Sequence, residues 1–237
     1  MTAIPVTGRP VLVGNRLVLV GSVLYLLEWV AIIAAGIDAP LGADASTAHV
    51  TSSYSGVATS WGWAAGWFSV VLLGRVLLVL GIRAALADSG HPQRIMDFAV
   101  AAMALSVALE VATYAVTAGG AWYLDHDGSP EVVRGLDAAA VVLNSTVFGP
   151  LGVAILCSAG AMWWSGLFPR VLCGVGLVAG VGGTLMGLAA AAPTAGSAAD
   201  ALGIAVPLFW IWMLWTGVLC WRRAIPPDPR AGRAARA

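Results

Sequence analysis

The sequence predicts an all-α membrane protein, a bundle of six transmembrane helices with both termini in the cytoplasm. Three observations support this fold class: the composition, six long apolar segments and an uneven distribution of arginines. Hydrophobic residues make up 59% of the 237 residues and charged residues only 10%, and the mean hydropathy is +0.88. Soluble domains contain about 25% charged residues, so this composition argues against an ordinary soluble enzyme.

Six segments reach the length of about 20 apolar residues that a helix needs to cross a bilayer. They are residues 14–36, 61–84, 95–118, 136–162, 169–192 and 202–221, called spans 1 to 6 below. We expect one domain over residues 1–224 and a disordered cytoplasmic tail, rich in Pro and Arg, over residues 225–237. Pro150 predicts a kink in span 4, because proline cannot donate a backbone hydrogen bond.

The distribution of arginine predicts the orientation of the chain. Ten of the twelve arginines lie near the start of span 1, in or next to the loops after spans 2 and 4, and after span 6, whereas the opposite loops contain only Arg134 and six acidic residues. By the positive-inside rule both termini are then cytoplasmic. The net charge is zero and no basic patch with interleaved aromatics is present, so nucleic acid is not an expected partner.

Metal and cofactor sites are not predicted. The three cysteines lie in apolar runs without paired spacing, and all three histidines lie in loops. Such a pattern suggests neither a disulfide framework nor a metal or haem site in the membrane. We expect membrane lipids, and an apolar small molecule as substrate if a polar pocket is present. The sequence indicates no particular protein partner.

Two carboxylates within the spans carry the strongest functional signal. Glu28 and Glu110 each lie eight residues from the outer ends of spans 1 and 3, and Asn144 lies eight residues from the outer end of span 4. At ~1.5 Å per residue all three are ~12 Å deep. An acid within a span is expensive and marks a functional site by default. Since two nearby carboxylates cannot both ionise easily, we predict that one of them holds a proton.

Other polar and aromatic residues complete a predicted pocket in the outer half of the bundle. Tyr25 and Tyr114 share helix faces with Glu28 and Glu110, at spacings of three and four residues. The remaining predicted pocket residues are Asn144, Asp137, Trp210, Trp212 and Trp215.

Arg75 of span 2 has two interpretations. Its side chain extends toward the inner surface, or it forms a structural ion pair with a carboxylate. If Arg75 neutralises Glu28 or Glu110, the catalytic hypothesis loses its protonated acid. In span 5 the pairs Gly176/Gly180 and Gly183/Gly187 have the spacing typical of closely packed membrane helices.

Two segments carry a resemblance to a known family. The turn Ser165-Gly-Leu-Phe-Pro-Arg-Val-Leu leads into the Gly-rich span 5, and span 1 contains Leu24-Tyr-Leu-Leu. These segments resemble a family of bacterial six-span membrane proteins that is defined only as a domain of unknown function. The resemblance implies a six-helix fold in a bacterial inner membrane and implies no reaction. In size and architecture alone, the chain also looks like the small membrane-bound terpenoid cyclases.

Three functions stay open at this point. In the first, Glu28 and Glu110 are catalytic acids that start the cyclisation or isomerisation of an apolar prenyl or terpenoid substrate, and aromatic faces stabilise the cation. In the second, the protein is a non-catalytic membrane accessory subunit whose polar residues hold helices together. In the third, it is a small proton-coupled transporter in which the glutamates carry ions or protons.

Overall fold

A computed structural model describes residues 10–35, 41, 44–88, 90–91, 94–189 and 203–224. All regular secondary structure in this part of the chain is α-helix. The helices are α1 (Pro10–Ala35), α2 (Thr47–Tyr54), α3 (Ala58–Val71), α4 (Leu73–Ala87), α5 (Arg94–Asp125), α6 (Pro130–Thr146), α7 (Phe148–Ser165), α8 (Arg170–Ala189) and α9 (Ala205–Ala224).

Six segments of these helices are long and apolar enough to cross a membrane. They are Gly14–Ala34, Ala58–Ala87, Arg94–Asp125, Pro130–Ser165, Arg170–Ala189 and Ala205–Arg223. The prediction of an all-α chain with six helices of membrane length is therefore confirmed. Spans 3 and 4 extend beyond their predicted outer ends. The predicted tail 225–237 and the predicted span ends at 36, 190–192 and 202 lie outside the described residues.

Two of the six segments are interrupted. In span 4 the break at Val147 separates α6 from α7. Pro150 follows three residues later and cannot donate to the carbonyl of Thr146, so the break lies where the proline predicts it. In span 2 a break at Leu72 separates α3 from α4, and the Arg75 amide donates to the Leu72 carbonyl at 3.1 Å. No proline marks this second break.

The six spans form a closed ring. Each span packs against its neighbours in sequence, and α9 of span 6 returns to α1 of span 1. α4 and α7 also meet across the ring, so its inner half is filled by side chains such as Leu78, Met103 and Ile155. The space that remains inside the ring lies next to the break at Val147 in span 4.

Glycines hold two pairs of helices in backbone contact. In the α1–α4 pair, a side chain on Gly21 would collide with the backbone of Gly74, and the reverse is also true. In the α7–α8 pair, Gly180 and Gly187 lie against the backbones of Leu156 and Gly149. The close packing predicted for span 5 is confirmed. The α1–α4 contact was not predicted.

The short helix α2 packs on α5 and α6 at the end of the ring that the sequence predicts to face outward, called the outer end below. The Tyr54 hydroxyl donates to the Asp137 carboxylate, which also accepts from the Leu41 amide at 3.0 Å. Burial raises the pKa of Tyr54, and so does the negatively charged Asp137 that accepts its hydrogen bond. Asp125 accepts the Gly56 amide at 2.6 Å, which fixes the start of α3. These contacts attach the segment before α3 to the bundle.

Candidate functional site

A cavity of about 390 Å³ lies inside the ring and is lined by residues of all six spans. Its volume falls within the range of about 300–1,000 Å³ that is typical of small-molecule sites. Most of the lining is apolar. The lining residues with polar or charged groups, apart from two tryptophans, are Tyr25, Glu28, Arg75, Glu110, Thr113, Tyr114 and Asn144.

Helical spacing explains how α1 and α5 contribute to the cavity. On α1 the lining residues are Tyr25, Glu28, Trp29 and Ile32, which follow the spacing i, i+3, i+4, i+7 of a single helix face. On α5, Thr113 and Tyr114 follow Glu110 by three and four residues. These two faces meet across the cavity, so residues far apart in sequence come together.

Arg75 and Glu110 form a buried ion pair between α4 and α5. Nη2 of the guanidinium contacts Oε2 of the carboxylate, and the two side chains are only 2% and 11% exposed. The guanidinium carbon also lies 5.2 Å from the centre of the Tyr25 ring. A charge buried this deeply needs its partner, because an isolated ion loses its hydration without compensation. The ion-pair interpretation of Arg75 therefore describes the structure, and Glu110 is held as its counter-ion.

Glu28 has a different neighbour. It is 3% exposed, and its Oε1 accepts a hydrogen bond from the Tyr114 hydroxyl at 2.9 Å. The Tyr114 ring packs against Phe68, with ring centres 4.0 Å apart, which holds the hydroxyl in place. Among the described lining residues, Arg75 is the only basic side chain, whereas two carboxylates are present. The cavity thus contains one acidic group more than it contains basic groups.

Asn144 and Trp210 also line the cavity. Trp210 packs edge to face on Trp29 of α1, with ring centres 5.0 Å apart. These two rings form part of the wall between α1 and α9. The predicted pocket residues that the structure brings to one site are therefore Tyr25, Glu28, Glu110, Tyr114, Asn144 and Trp210.

Three predicted pocket residues lie elsewhere. Asp137 is buried at the outer end of the ring, where it binds Tyr54 of α2. Trp212 is fully buried against Gly176 of α8, and Trp215 is 40% exposed on the outside of the bundle. At 100° per residue, positions 212 and 215 point well away from position 210 around α9, so the three tryptophans cannot share one face.

The sequence did not single out Thr113, Trp29 or Phe209, which also line the cavity. Thr113 follows Glu110 by three residues and Trp29 lies four residues after Tyr25, so helical spacing could have found both. Phe209 had no polar neighbour at this spacing to indicate its position. Among the described residues, no three His, Cys, Asp or Glu side chains are grouped so that they could hold a metal ion.

Comparison of the chain with protein-family models, curated protein sequences and solved structures finds no match. The resemblance to the six-span family of unknown function stays a prediction. The cavity and its charges are therefore the basis for a functional hypothesis.

Proposed function

We propose that this protein is a membrane-embedded enzyme in which Glu28 donates a proton to an apolar substrate and thereby starts a cyclisation or isomerisation of the prenyl or terpenoid type. The excess of carboxylates over basic groups in the cavity carries the proposal. Arg75 neutralises Glu110, and no second basic residue among the described lining residues is available for Glu28. A carboxyl group in apolar surroundings without its own counter-ion is most stable in the neutral form, which can donate a proton.

The proton transfer follows from the contacts of Glu28. Its O–H bond breaks, a C–H bond forms at one end of a substrate double bond, and the other end becomes a carbocation. Glu28 is then a carboxylate, stabilised by the hydroxyl of Tyr114, which donates to it at 2.9 Å. The rings of Trp29 and Trp210 offer π faces to the positive charge. Loss of a proton from the cyclised or isomerised cation returns the proton to Glu28.

Glu110 has an indirect role in this proposal. Its carboxylate balances the positive charge of Arg75. Without that balance, Arg75 would repel the developing carbocation in a cavity of low dielectric constant. The two glutamates that the sequence predicts as catalytic acids are thus assigned different roles: Glu28 is the proton donor and Glu110 is the counter-ion of Arg75.

We further propose that the six spans cross a bacterial inner membrane with both termini cytoplasmic. Among the described residues, the ends of the ring support this orientation, because Arg16, Arg83, Arg94 and Arg170 belong to one end and Arg134 to the other. The cavity then lies nearer to the outer surface. Labelling of single cysteines placed at each end, with a reagent that does not cross membranes, tests the orientation.

The test of the enzymatic proposal is turnover in heavy water. Protein in lipid nanodiscs is incubated in D₂O with prenylated aromatic compounds and with linear polyprenyl compounds, and products are identified by mass spectrometry. We expect a cyclised or isomerised product with one deuterium bound to carbon, and its loss in Glu28→Gln. Glu131→Gln is the matched control, since Glu131 is exposed and does not line the cavity. Unchanged product formation by Glu28→Gln would disprove the role of Glu28.

A non-catalytic accessory role is the second candidate, and the Arg75–Glu110 pair favours it. In an accessory subunit, the buried ion pair between α4 and α5 would have a structural purpose alone, which is to hold the two helices in register. In that case Glu28→Gln and Glu110→Gln should change stability alone, and no deuterated product should form with any substrate. The accessory role requires no ligand in the cavity, so it also predicts that no small molecule stabilises the protein against unfolding.

A further inference from the structure

We infer, relying on the proposed function for the role of Glu28, that the cavity binds hydrophobic organic cations, with the positive group at Glu28 and the apolar groups among the aromatic rings of α1 and α9. Such a cation has the same charge as the carbocation that proton transfer creates. A site that is complementary to a reaction intermediate also binds stable compounds that imitate it. The ligand class follows from the charge, the aromatic lining and the polarity of the cavity.

The charges of the cavity select a cation. With Glu28 ionised, the lining contains two negative groups and one positive group, Arg75. Arg75 is already in contact with Glu110, so the unbalanced charge is located at Glu28. An anionic ligand would be repelled by this carboxylate, and the charge of Arg75 is already balanced by Glu110. A single positive charge next to Glu28 makes the whole cavity neutral.

The aromatic residues locate the positive group. One face of Tyr25 lies beneath the guanidinium of Arg75, and Tyr114 packs against Phe68. The wall between α1 and α9 contains two further rings. Trp29 is the residue after Glu28 on α1, and Trp210 lies on α9. Cations are attracted to the faces of tryptophan rings, most strongly where water is excluded. Carboxylate and indole rings together are the chemistry that recognises ammonium and phosphonium groups.

The rest of the lining requires the cation to be hydrophobic. The wall opposite α1 consists of apolar side chains of α7 and α8, including Leu151, Ile155 and Ala179. A small hydrophilic ammonium ion would lose its hydration and leave these side chains without contacts. A cation with several apolar groups fills the volume of about 390 Å³ and recovers the free energy of burying them.

Proton and cation compete for the same carboxylate. The ionisable groups that face Glu28 are Tyr25 on its own helix, Arg75 on α4, and Glu110 and Tyr114 on α5. α3 carries no charged residue, and the arginines of α9 lie at its far end. Binding of the cation therefore releases the proton of Glu28, and affinity should increase about tenfold for each unit of pH while Glu28 is protonated.

Tetraphenylphosphonium is the probe, and triphenylphosphine oxide is the neutral comparison. Binding to the full-length protein in nanodiscs is measured by quenching of tryptophan fluorescence and by isothermal titration calorimetry, between pH 5.5 and 8.5. We expect binding of tetraphenylphosphonium that strengthens with pH, at least tenfold weaker binding by Glu28→Gln without pH dependence, and recovery in Glu28→Asp. Glu131→Gln should bind like the wild type.

The inference is overturned if tetraphenylphosphonium does not bind, if Glu28→Gln binds it as well as the wild type does, or if the neutral compound binds equally well. If Glu28→Gln does not fold, the pH series and the neutral compound decide the question on the wild-type protein alone. Failure of the proposed function looks different. If the protein binds the cation at Glu28 but forms no deuterated product, the proposed enzymatic function is wrong. If it forms the product but does not bind the cation, only the inferred cation site is wrong.

Discussion

Two walls of the cavity each present a buried glutamate, and the glutamates differ in their partners. On the α4–α5 wall, Glu110 contacts the guanidinium of Arg75. On the α1 wall, the described side chain that donates a hydrogen bond to Glu28 is Tyr114, whose hydroxyl is neutral. The same side chain in the same cavity is therefore a fixed counter-ion in one place and an ionisable group in the other. The proposed proton transfer is therefore assigned to the wall of Glu28.

Removal of Arg75 should have the largest effect. Arg75→Ala leaves Glu110 buried without a counter-ion, and breaking a buried pair in this way costs about 3–5 kcal/mol. The matched control is Arg83→Ala, which removes the exposed pair with Asp97 at 2.6 Å and should cost less than about 1 kcal/mol.

Unfolding in detergent measures both variants. The double variant Arg75→Met/Glu110→Gln should recover much of the lost stability, since it removes both charges. If Arg75→Ala and Arg83→Ala were equally stable, the account of the α4–α5 wall would be wrong.

Disruption of the contact between the two walls should have the next largest effect on stability. α1 carries Glu28 and α4 carries Arg75, and the two helices touch at Gly21 and Gly74. A methyl group at Gly21 meets backbone atoms that cannot move aside, so Gly21→Ala should lower stability by about 1–3 kcal/mol. Gly66→Ala is the control, because that helical glycine has open space around it and should gain up to about 1 kcal/mol. Thermal unfolding of both variants should give shifts of opposite sign.

A substitution in α2 tests whether contacts at the outer end of the ring stabilise the protein independently of the cavity. Tyr54→Phe removes the hydrogen bond to the Asp137 carboxylate and should cost about 1.5 kcal/mol. The raised pKa of Tyr54 adds a pH effect. Above about pH 10 the unfolded chain loses the tyrosine proton while the folded chain keeps it, so wild-type stability should fall with pH. Tyr54→Phe should show a smaller fall, and equal slopes would contradict the assignment.

Glu28→Gln should have the smallest effect on stability. The amide still accepts from the Tyr114 hydroxyl, so we expect a change within about 1 kcal/mol. Activity and cation binding should nevertheless be lost. A large loss of stability in this variant would mean that Glu28, like Glu110, has a structural partner.

The sequence predicted the features of the bundle that follow from hydropathy and helical spacing. Span positions and the shared helix faces of Tyr25 with Glu28 and of Glu110 with Tyr114 depend on each helix alone. The common depth of Glu28, Glu110 and Asn144 was counted from predicted span ends and stays a prediction. The pairing of Arg75 with Glu110 depends on how α4 packs against α5. It also depends on how α4 is rotated against α1. A single sequence does not contain that rotation.

Two other predictions show the same limit. Asp137 has the depth and polarity of a pocket residue, yet Tyr54 of α2 binds it. α2 is an eight-residue helix in a polar loop, so hydropathy gives no signal for it. On α9, periodicity shows that Trp210 and Trp212 point in different directions, but only the packing of α9 on α8 decides which one reaches the cavity.

Infrared spectroscopy of the purified protein at neutral pH tests the central claim most directly. A protonated carboxyl group buried away from water gives a carbonyl stretching band that is separate from the bands of carboxylates. We predict that this band is present in the wild type, absent in Glu28→Gln and present in the double variant Arg75→Met/Glu110→Gln, which removes the ion pair and leaves Glu28 without a cation. A band that persists in Glu28→Gln, or disappears in Arg75→Met/Glu110→Gln, would place the proton on the other wall and contradict the roles assigned to the two glutamates.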